Sequence, residues 1–515
     1  MSESKKLWIK ITGIDMDLEV WQLLHLFFDD DSFAFINEDM TENNFIPGPL
    51  LNISVSNDEE VWLCEAEYYQ NINKYEMLKN IHEYDIKPLY SSKQNISNQD
   101  LKKPGGRLFE SRKIIVGTCI VKVLSKVTNK LLPYGSLTGV RPVKLAMQCI
   151  EDGLDKQGTI NQLVKATAMS ENKAALLYDV AVVERPFINI DPKSIHLYIG
   201  IPFCVSRCLY CSFTSYPMGR YKSLIPRFLE AIEKEIRYVG KIVDENNLNV
   251  KSVYIGGGTP TALDNLSLNR VLNIVNESFN LKNVEFTLEA GRPDTITQEK
   301  LYTMKMNNIT RISINPQTMN SSTLKAIGRN HTPEEIIEKF GMARETGFDN
   351  INMDIIAGLP NEDEKMFRYT LEQIEKLAPD SITVHTMAVK RASILHDDID
   401  NYIITPDNVV ETMIEDARLS AKNMNMKPYY LYRQKNILAN LENTGYAKEG
   451  YECLYNIHTM EEVQSIIAMG AGAISKFVSP DGKSIKRTCN VKEVAQYIDR
   501  IDEMLERKKV VYESL

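Results

Sequence analysis

Three cysteines, Cys204, Cys208 and Cys211, fall within eight residues in Pro202-Phe-Cys-Val-Ser-Arg-Cys-Leu-Tyr-Cys211. In a reduced compartment, such a cluster points to metal rather than to a staple. Three thiolates on one short loop can cap three irons of a cubane. The fourth iron then has no protein ligand, and an open position is what substrate activation needs. A closed zinc site or structural cluster wants a fourth ligand nearby. Phe213 stands two residues past Cys211, and His196 belongs to the preceding apolar run, so a zinc knuckle has to borrow a remote ligand. The other five cysteines (Cys64, Cys119, Cys149, Cys453 and Cys489) are dispersed and read as small residues without chemistry.

Further groups suited to a charged, hydroxylated ligand follow at intervals. Gly256-Gly257-Gly258-Thr259 lets a backbone come within hydrogen-bonding distance of a ligand. Glu289 closes an apolar run, where a carboxylate is costly to bury without a cationic partner. The Gln317 amide both donates and accepts, which suits hydroxyl groups. The planar fork of Arg329 suits a carboxylate, and Asp354 is an acid in the midst of an apolar strand pattern.

These groups need a frame that brings them to one place. In residues 191–400, short apolar runs (Ile195–Phe203, Ser252–Gly258, Glu285–Gly291, Arg311–Gln317, Ile351–Gly358 and Ser381–Met387) alternate with amphipathic stretches of helix length. The alternation predicts right-handed βαβ crossovers and a partial, six-stranded (β/α) barrel with its chemistry at the polar strand ends. Residues 1–190 read as an N-terminal α+β domain. Strands are expected at Leu7–Thr12, Leu50–Ser56, Val61–Tyr69 and Ile114–Val123, a helix at Glu19–Phe28, and Trp8, Trp21 and Trp62 as core anchors. Leu101–Arg107 reads as a surface loop, and residues 401–515 as a mainly helical C-terminal region. The fold class is therefore α/β.

The cysteine loop is the C-x3-C-x2-C signature of the radical S-adenosylmethionine (SAM) superfamily. With Tyr198-Ile-Gly-Ile-Pro-Phe-Cys204, it resembles the oxygen-independent coproporphyrinogen oxidase and haem chaperone group. The resemblance implies a 4Fe–4S cluster on the three cysteines and SAM on the open iron. It further implies the methionine ammonium at the glycine motif and Glu289, its carboxylate at Arg329, and ribose at Gln317 and Asp354. Tyr198, Ile356 and Ala388 match positions lining the cluster and adenine.

Pro428-Tyr-Tyr-Leu-Tyr-Arg-Gln-Lys-Asn436, Asn443-Thr-Gly-Tyr-Ala-Lys-Glu-Gly450, Cys453-Leu-Tyr-Asn-Ile457, Gly470-Ala-Gly-Ala-Ile-Ser-Lys476 and Leu137-Thr-Gly-Val-Arg-Pro142 resemble the HemZ-type branch, coproporphyrinogen dehydrogenase. That implies oxidative decarboxylation of coproporphyrinogen III to protoporphyrinogen IX, with electrons from a reductase or a flavodoxin- or ferredoxin-type donor. Arg391, Arg433, Lys435 and Lys476 are candidate clamps for the propionates. Phe213 and Gly200 stand where the decarboxylating branch has a fourth cysteine and a histidine. Two alternatives follow: a haem-trafficking chaperone, or a radical SAM enzyme on another substrate. The chaperone branch carries a His–Asn motif where this chain has Tyr455-Asn456. His458 reads either as a haem ligand or as a helix-surface residue.

Composition agrees with a folded, soluble protein of two or three domains: 515 residues, 43% hydrophobic and 25% charged. A net charge of −9 provides no electrostatic footprint for nucleic acid. The start, Met1-Ser-Glu-Ser-Lys-Lys, lacks the apolar stretch of a secretory signal, and the longest apolar runs are far short of a membrane span. A cytoplasmic location is the expectation.

Overall fold

The computed structural model describes residues 6–37, 40–42, 45–58, 61–97, 112–139, 141–213 and 215–513. Residues 101–107, expected to be a surface loop, and Val140 of the 137–142 motif lie outside them. The chain divides into two compact units, Met1–Ala181 and Val182–Leu515.

In the first unit, β1 (Leu7–Thr12), β2 (Phe33–Phe35), β3 (Gly48–Asn57), β4 (Val61–Ile72) and β5 (Tyr90–Ser97) form one sheet, ordered β2-β1-β3-β4-β5. β1 runs parallel to β2 and β3, and β3, β4 and β5 are antiparallel. The run Ile114–Val123 is not a strand but the middle of a helix, Arg112–Thr128. Val116, Cys119, Ile120 and Leu124 of that helix share a core with Ile53 and Ala66 of the sheet. The helix is buried almost all round, which erases the amphipathic period that separates a helix from a buried strand. Nor are all three tryptophans core anchors. Trp8 is buried, Trp62 carries the Arg112 guanidinium 3.9 Å above its ring, and Trp21 is 41% exposed, edge-on to His25.

The second unit is built on one eleven-stranded sheet. Its centre is β6 (Ser194–Ile201), β9 (Asn249–Gly257), β10 (Glu285–Glu289), β11 (Arg311–Ser313), β12 (Ile351–Ala357) and β13 (Ser381–Thr386), each parallel to the next. β6 and β13 do not pair with each other, so the six strands form an open, partial barrel. These strands are near-continuous apolar runs because helices cover the sheet. The helix Ile225–Glu245 starts with Pro226 in its first turn and buries Phe228, Ile232, Ile236, Val239 and Val243 at three- and four-residue spacing. Two short strands, β7 (Phe203–Cys204) and β8 (Tyr216–Pro217), pair in parallel and pin together the two ends of the cysteine loop.

Residues beyond 401 contribute helices at Asp407–Asn423, Leu454–Glu461, Val494–Asp499 and Ile501–Glu513. They also supply five strands, which the reading of a mainly helical region did not include. β14 (Lys427–Tyr432) and β15 (Asn443–Ala447) extend the sheet antiparallel beyond β13. β16 (Ser465–Met469) lies parallel to β6, and β17 (Ile474–Val478) and β18 (Ile485–Cys489) continue antiparallel. They are five or six residues long, and β18 is largely polar, so each is too short to show a clear period in the sequence.

A buried polar knot ties this C-terminal segment to the barrel. The Glu235 carboxylate accepts from Lys508 Nζ (2.5 Å), Asn490 Nδ2 (2.8 Å), Tyr497 Oη (2.6 Å) and the Gly470 amide (2.8 Å). Lys508 also donates to Asn490 Oδ1 at 2.9 Å.

Candidate functional site

The polar ends of the parallel strands surround a cavity of about 390 Å³. The three cysteines line it with Gly257, Gly258, Thr259, Glu289, Gln317, Arg329, Asp354, Ile356 and Ala388. Gly256 and Tyr198, also singled out in the sequence, do not. Tyr198 instead stacks with Tyr455 and Tyr254, ring centroids 5.9 and 6.3 Å away.

Cys204 ends β7, and its Sγ lies 3.4 Å from Thr259 Oγ1. Gly258 has to be glycine here. A Cβ on it would meet the Phe203 carbonyl at 2.6 Å and Cys204 Sγ at 3.0 Å. Arg292 fixes the middle of the cysteine loop. Its Nη1 donates to Ser206 Oγ (2.8 Å) and reaches Cys208 Sγ at 4.0 Å, and its other nitrogens grip Asp294 at 2.9 and 3.1 Å. Burial pushes the Cys204 thiol up to about 11, a rise that the neighbouring Cys211 and Cys208 reinforce. Burial likewise raises Cys211, so these two thiols resist ionisation until a cation compensates them. Among the described residues, no three His, Cys, Asp or Glu side chains converge as one metal ion requires. A zinc knuckle needs ligands about 2.3 Å from one centre. Thiolates that each bind a different iron of a cluster have no such requirement, so the donor set suits a cubane.

Opposite the cysteines stand two carboxylates in contrasting states. Burial drives Glu289 up to about 7, against the 2.6 Å bond from Tyr254 Oη and with the Asp354 charge adding to the rise. Burial pushes Asp354 upward too, but the His385 contact and the 2.7 Å bond from Asn352 Nδ2 outweigh it and hold Asp354 below the usual range. Gly256 makes room behind this pair: a Cβ there would meet Glu289 Cδ at 2.9 Å.

Arg329 is 6% exposed and donates from Nη1 to the carbonyls of Asn315 (2.6 Å) and Gly291 (3.3 Å), while its buried Nε has no hydrogen-bond partner. Gln317 has a left-handed backbone (φ +66°), costing about 1–3 kcal/mol in a residue with a side chain. It lies four residues beyond the end of β11 at Ser313. Its amide nonetheless bonds the Asp354 carbonyl at 2.9 Å, and its buried Oε1 has no hydrogen-bond partner. Thr287 Oγ1 and Asn443 Nδ2 line the same cavity in the same condition. Buried polar atoms left without partners on one cavity wall mark where a ligand makes bonds.

Sequence reasoning missed Tyr254, Arg292, His385, Lys390 and Tyr432, all of which line the cavity. Tyr254 carried a signal, because it stands two residues before Gly256 and so on the same face of β9. Of the candidate clamps, none lines the cavity. Arg433 is buried and bonds the Asn440 carbonyl at 3.2 Å, Lys476 pairs with Glu462 at 2.7 Å, and Arg391 and Lys435 are exposed. His458 is not on a helix surface. It is 4% exposed and stacks on His196 at 4.2 Å, and burial lowers its pKa to about 4.

Residues 198–374 match the radical SAM superfamily. The chain is 40% identical over 405 residues to the oxygen-independent coproporphyrinogen-III oxidase-like protein HemZ of Bacillus subtilis, covering 78% of this chain and 81% of that protein. It is 28% identical over 313 residues to the heme chaperone HemW of the same organism, covering 59% and 76%. A solved structure of coproporphyrinogen III oxidase HemN from Escherichia coli aligns with a TM-score of 0.49 and 22% identity, over 62% of this chain and 72% of that one. No helix among the described residues is long and apolar enough to cross a membrane.

Proposed function

Because this chain belongs to the HemZ family of oxygen-independent coproporphyrinogen-III oxidase-like proteins within the radical SAM superfamily, with a 4Fe–4S cluster and SAM as its cofactors, we propose that it oxidatively decarboxylates coproporphyrinogen III. Two propionates become vinyls, each losing a hydrogen atom at the expense of one SAM, carbon dioxide, and one electron to an acceptor, giving protoporphyrinogen IX. The observation that carries the proposal is the convergence of the three cysteines with Glu289, Gln317, Arg329 and Asp354 on one cavity in a chain of this family.

Bound together, the cluster and SAM supply a deoxyadenosyl radical able to take hydrogen from an unactivated carbon. The chain's own residues bind and orient. Cys204, Cys208 and Cys211 hold the cluster on a loop braced by Arg292 and closed by β7 and β8. Glu289, ionised above about pH 7, and the backbone of Gly257 and Gly258 receive the methionine ammonium. Arg329, held by two carbonyls, turns its remaining donors to the carboxylate. Asp354, kept ionised, and the free Gln317 oxygen take the ribose hydroxyls, and Ile356 and Ala388 line the adenine. Tyr198 acts from behind, by packing on Tyr455 and Tyr254. Gathered around one cavity, these groups orient what is bound there.

The test is an anaerobic assay of the reconstituted, reduced protein with SAM and coproporphyrinogen III, counting 5′-deoxyadenosine and porphyrin products by mass spectrometry. Mono- and didecarboxylated products formed together with deoxyadenosine are expected. Uncoupled SAM cleavage without decarboxylation would overturn the substrate assignment. The buried, stacked His458 gives no support to a haem-carrier reading in which it serves as the axial ligand.

A further inference from the structure

Four cations line the cavity, and three of them are committed. Arg292 is paired with Asp294. Arg311 bonds Asn350 Oδ1, the Tyr451 carbonyl and Ser381 Oγ at 2.7–3.1 Å. Arg329 holds the carbonyls of Asn315 and Gly291. Lys390 is different. Its Nζ donates to the Lys435 carbonyl at 3.0 Å, and among the described residues no carboxylate lies within 4.0 Å of it. Partial burial lowers its pKa with no acid opposing the shift.

The segment that carries Lys390 is held from both sides. Towards the cysteine loop, the Arg207 guanidinium donates to the Ala392 carbonyl, and the Leu395 amide bonds the Leu209 carbonyl at 3.0 Å. On the other side, the Val389 amide bonds the Asn436 carbonyl at 3.1 Å, which joins the segment to the turn after β14. That turn brings Lys435 beside Lys390, and Arg391 follows Lys390 directly. Both are exposed, and among the described residues neither has a carboxylate within 4.0 Å. Three uncompensated cations thus sit on two tied segments at the cavity edge, one facing inward and two outward. Cations without counter-ions at one cavity edge favour an anionic ligand there.

We propose that Lys390, Arg391 and Lys435 form a cationic rim that receives carboxylates of the tetrapyrrole substrate, with Lys390 taking the innermost one. The proposal rests on the reading of the site as one for a porphyrinogen. It replaces the wider set of clamps expected from the sequence, since Arg433 and Lys476 are engaged elsewhere.

The test uses the full-length protein with its cluster reconstituted and coproporphyrin III, a tetracarboxylate, as the probe, followed by fluorescence titration at low and high sodium chloride. Wild type should bind more weakly as salt rises. The triple variant K390Q/R391Q/K435Q should lose about tenfold or more in affinity and most of its salt dependence, as three partly exposed pairs would. K390Q alone should weaken binding, and K390R should restore it. An unchanged iron and sulfide content shows that the variants are folded. Equal affinity of wild type and triple variant, or no binding by either, would overturn the rim. A rim that behaves as expected in a protein that makes no decarboxylated product would retain this proposal and remove the substrate conversion. Decarboxylation unaffected by the triple substitution would do the reverse.

Discussion

Two groups of buried polar residues in the second unit look alike in composition and differ in what they leave unbonded. In the Glu235 knot, the carboxylate accepts from four donors, one of them Lys508, and the partners also bond one another. At the strand ends, Gln317 Oε1, Arg329 Nε, Thr287 Oγ1 and Asn443 Nδ2 are equally buried and have no hydrogen-bond partner. A closed network serves the fold, because every desolvated group recovers a bond inside the protein. An open one leaves bonds to be made by whatever fills the cavity. The two groups are alike in burial and residue type, and what separates them is the bonding capacity left unused at the cavity.

The contrast can be broken most severely at the cysteines. Cys208→Ala should abolish cluster assembly, reducing iron and sulfide to background, while the fold persists by circular dichroism. Next comes the knot. Glu235→Ala strands Lys508 without a counter-charge and should cost about 3–5 kcal/mol, read as a fall in denaturation midpoint. Iron bound per folded molecule should not change. If that variant lost the cluster but kept its stability, the division between the two groups would be wrong.

A third test concerns Glu289, whose carboxyl burial raises to about 7. Its ionised fraction rises from about one-tenth at pH 6 to about nine-tenths at pH 8, so affinity for the SAM ammonium should increase about tenfold over that interval. Glu289→Gln should bind weakly at both pH values, with a flat profile by calorimetry. The smallest effect is expected at Thr287. Its hydroxyl is 1% exposed with no hydrogen-bond partner, and Thr287→Val should stabilise the ligand-free protein by about 1 kcal/mol. The same change made in a closed network would destabilise it.

How legible all this was in the sequence depended on the length of each signal. The six parallel strands announced themselves, because each is an apolar run ending in glycine or a polar group. Asp354 and Glu289 stood out as acids within such runs. The helix Arg112–Thr128 was misread because burial on nearly every side removed its period. β14 to β18 were missed because each is only five or six residues long, too short to show a period. His458 looked like a surface residue because nothing local shows that His196, in β6, stacks on it. Lys390 carried no mark at all. Its meaning lies in the missing carboxylate, and an absence of neighbours is visible only in three dimensions.

The pairing of β16 with β6 has a consequence for how this protein is made. β6 leads directly into the cysteine loop, yet its outer neighbour arrives some 270 residues later, and Gly470 packs so closely that a Cβ on it would meet the Gly200 carbonyl at 2.3 Å. During synthesis, the first barrel strand stays an unpaired edge until residues 465–469 have left the ribosome. Strand edges of that kind are where nascent chains associate wrongly.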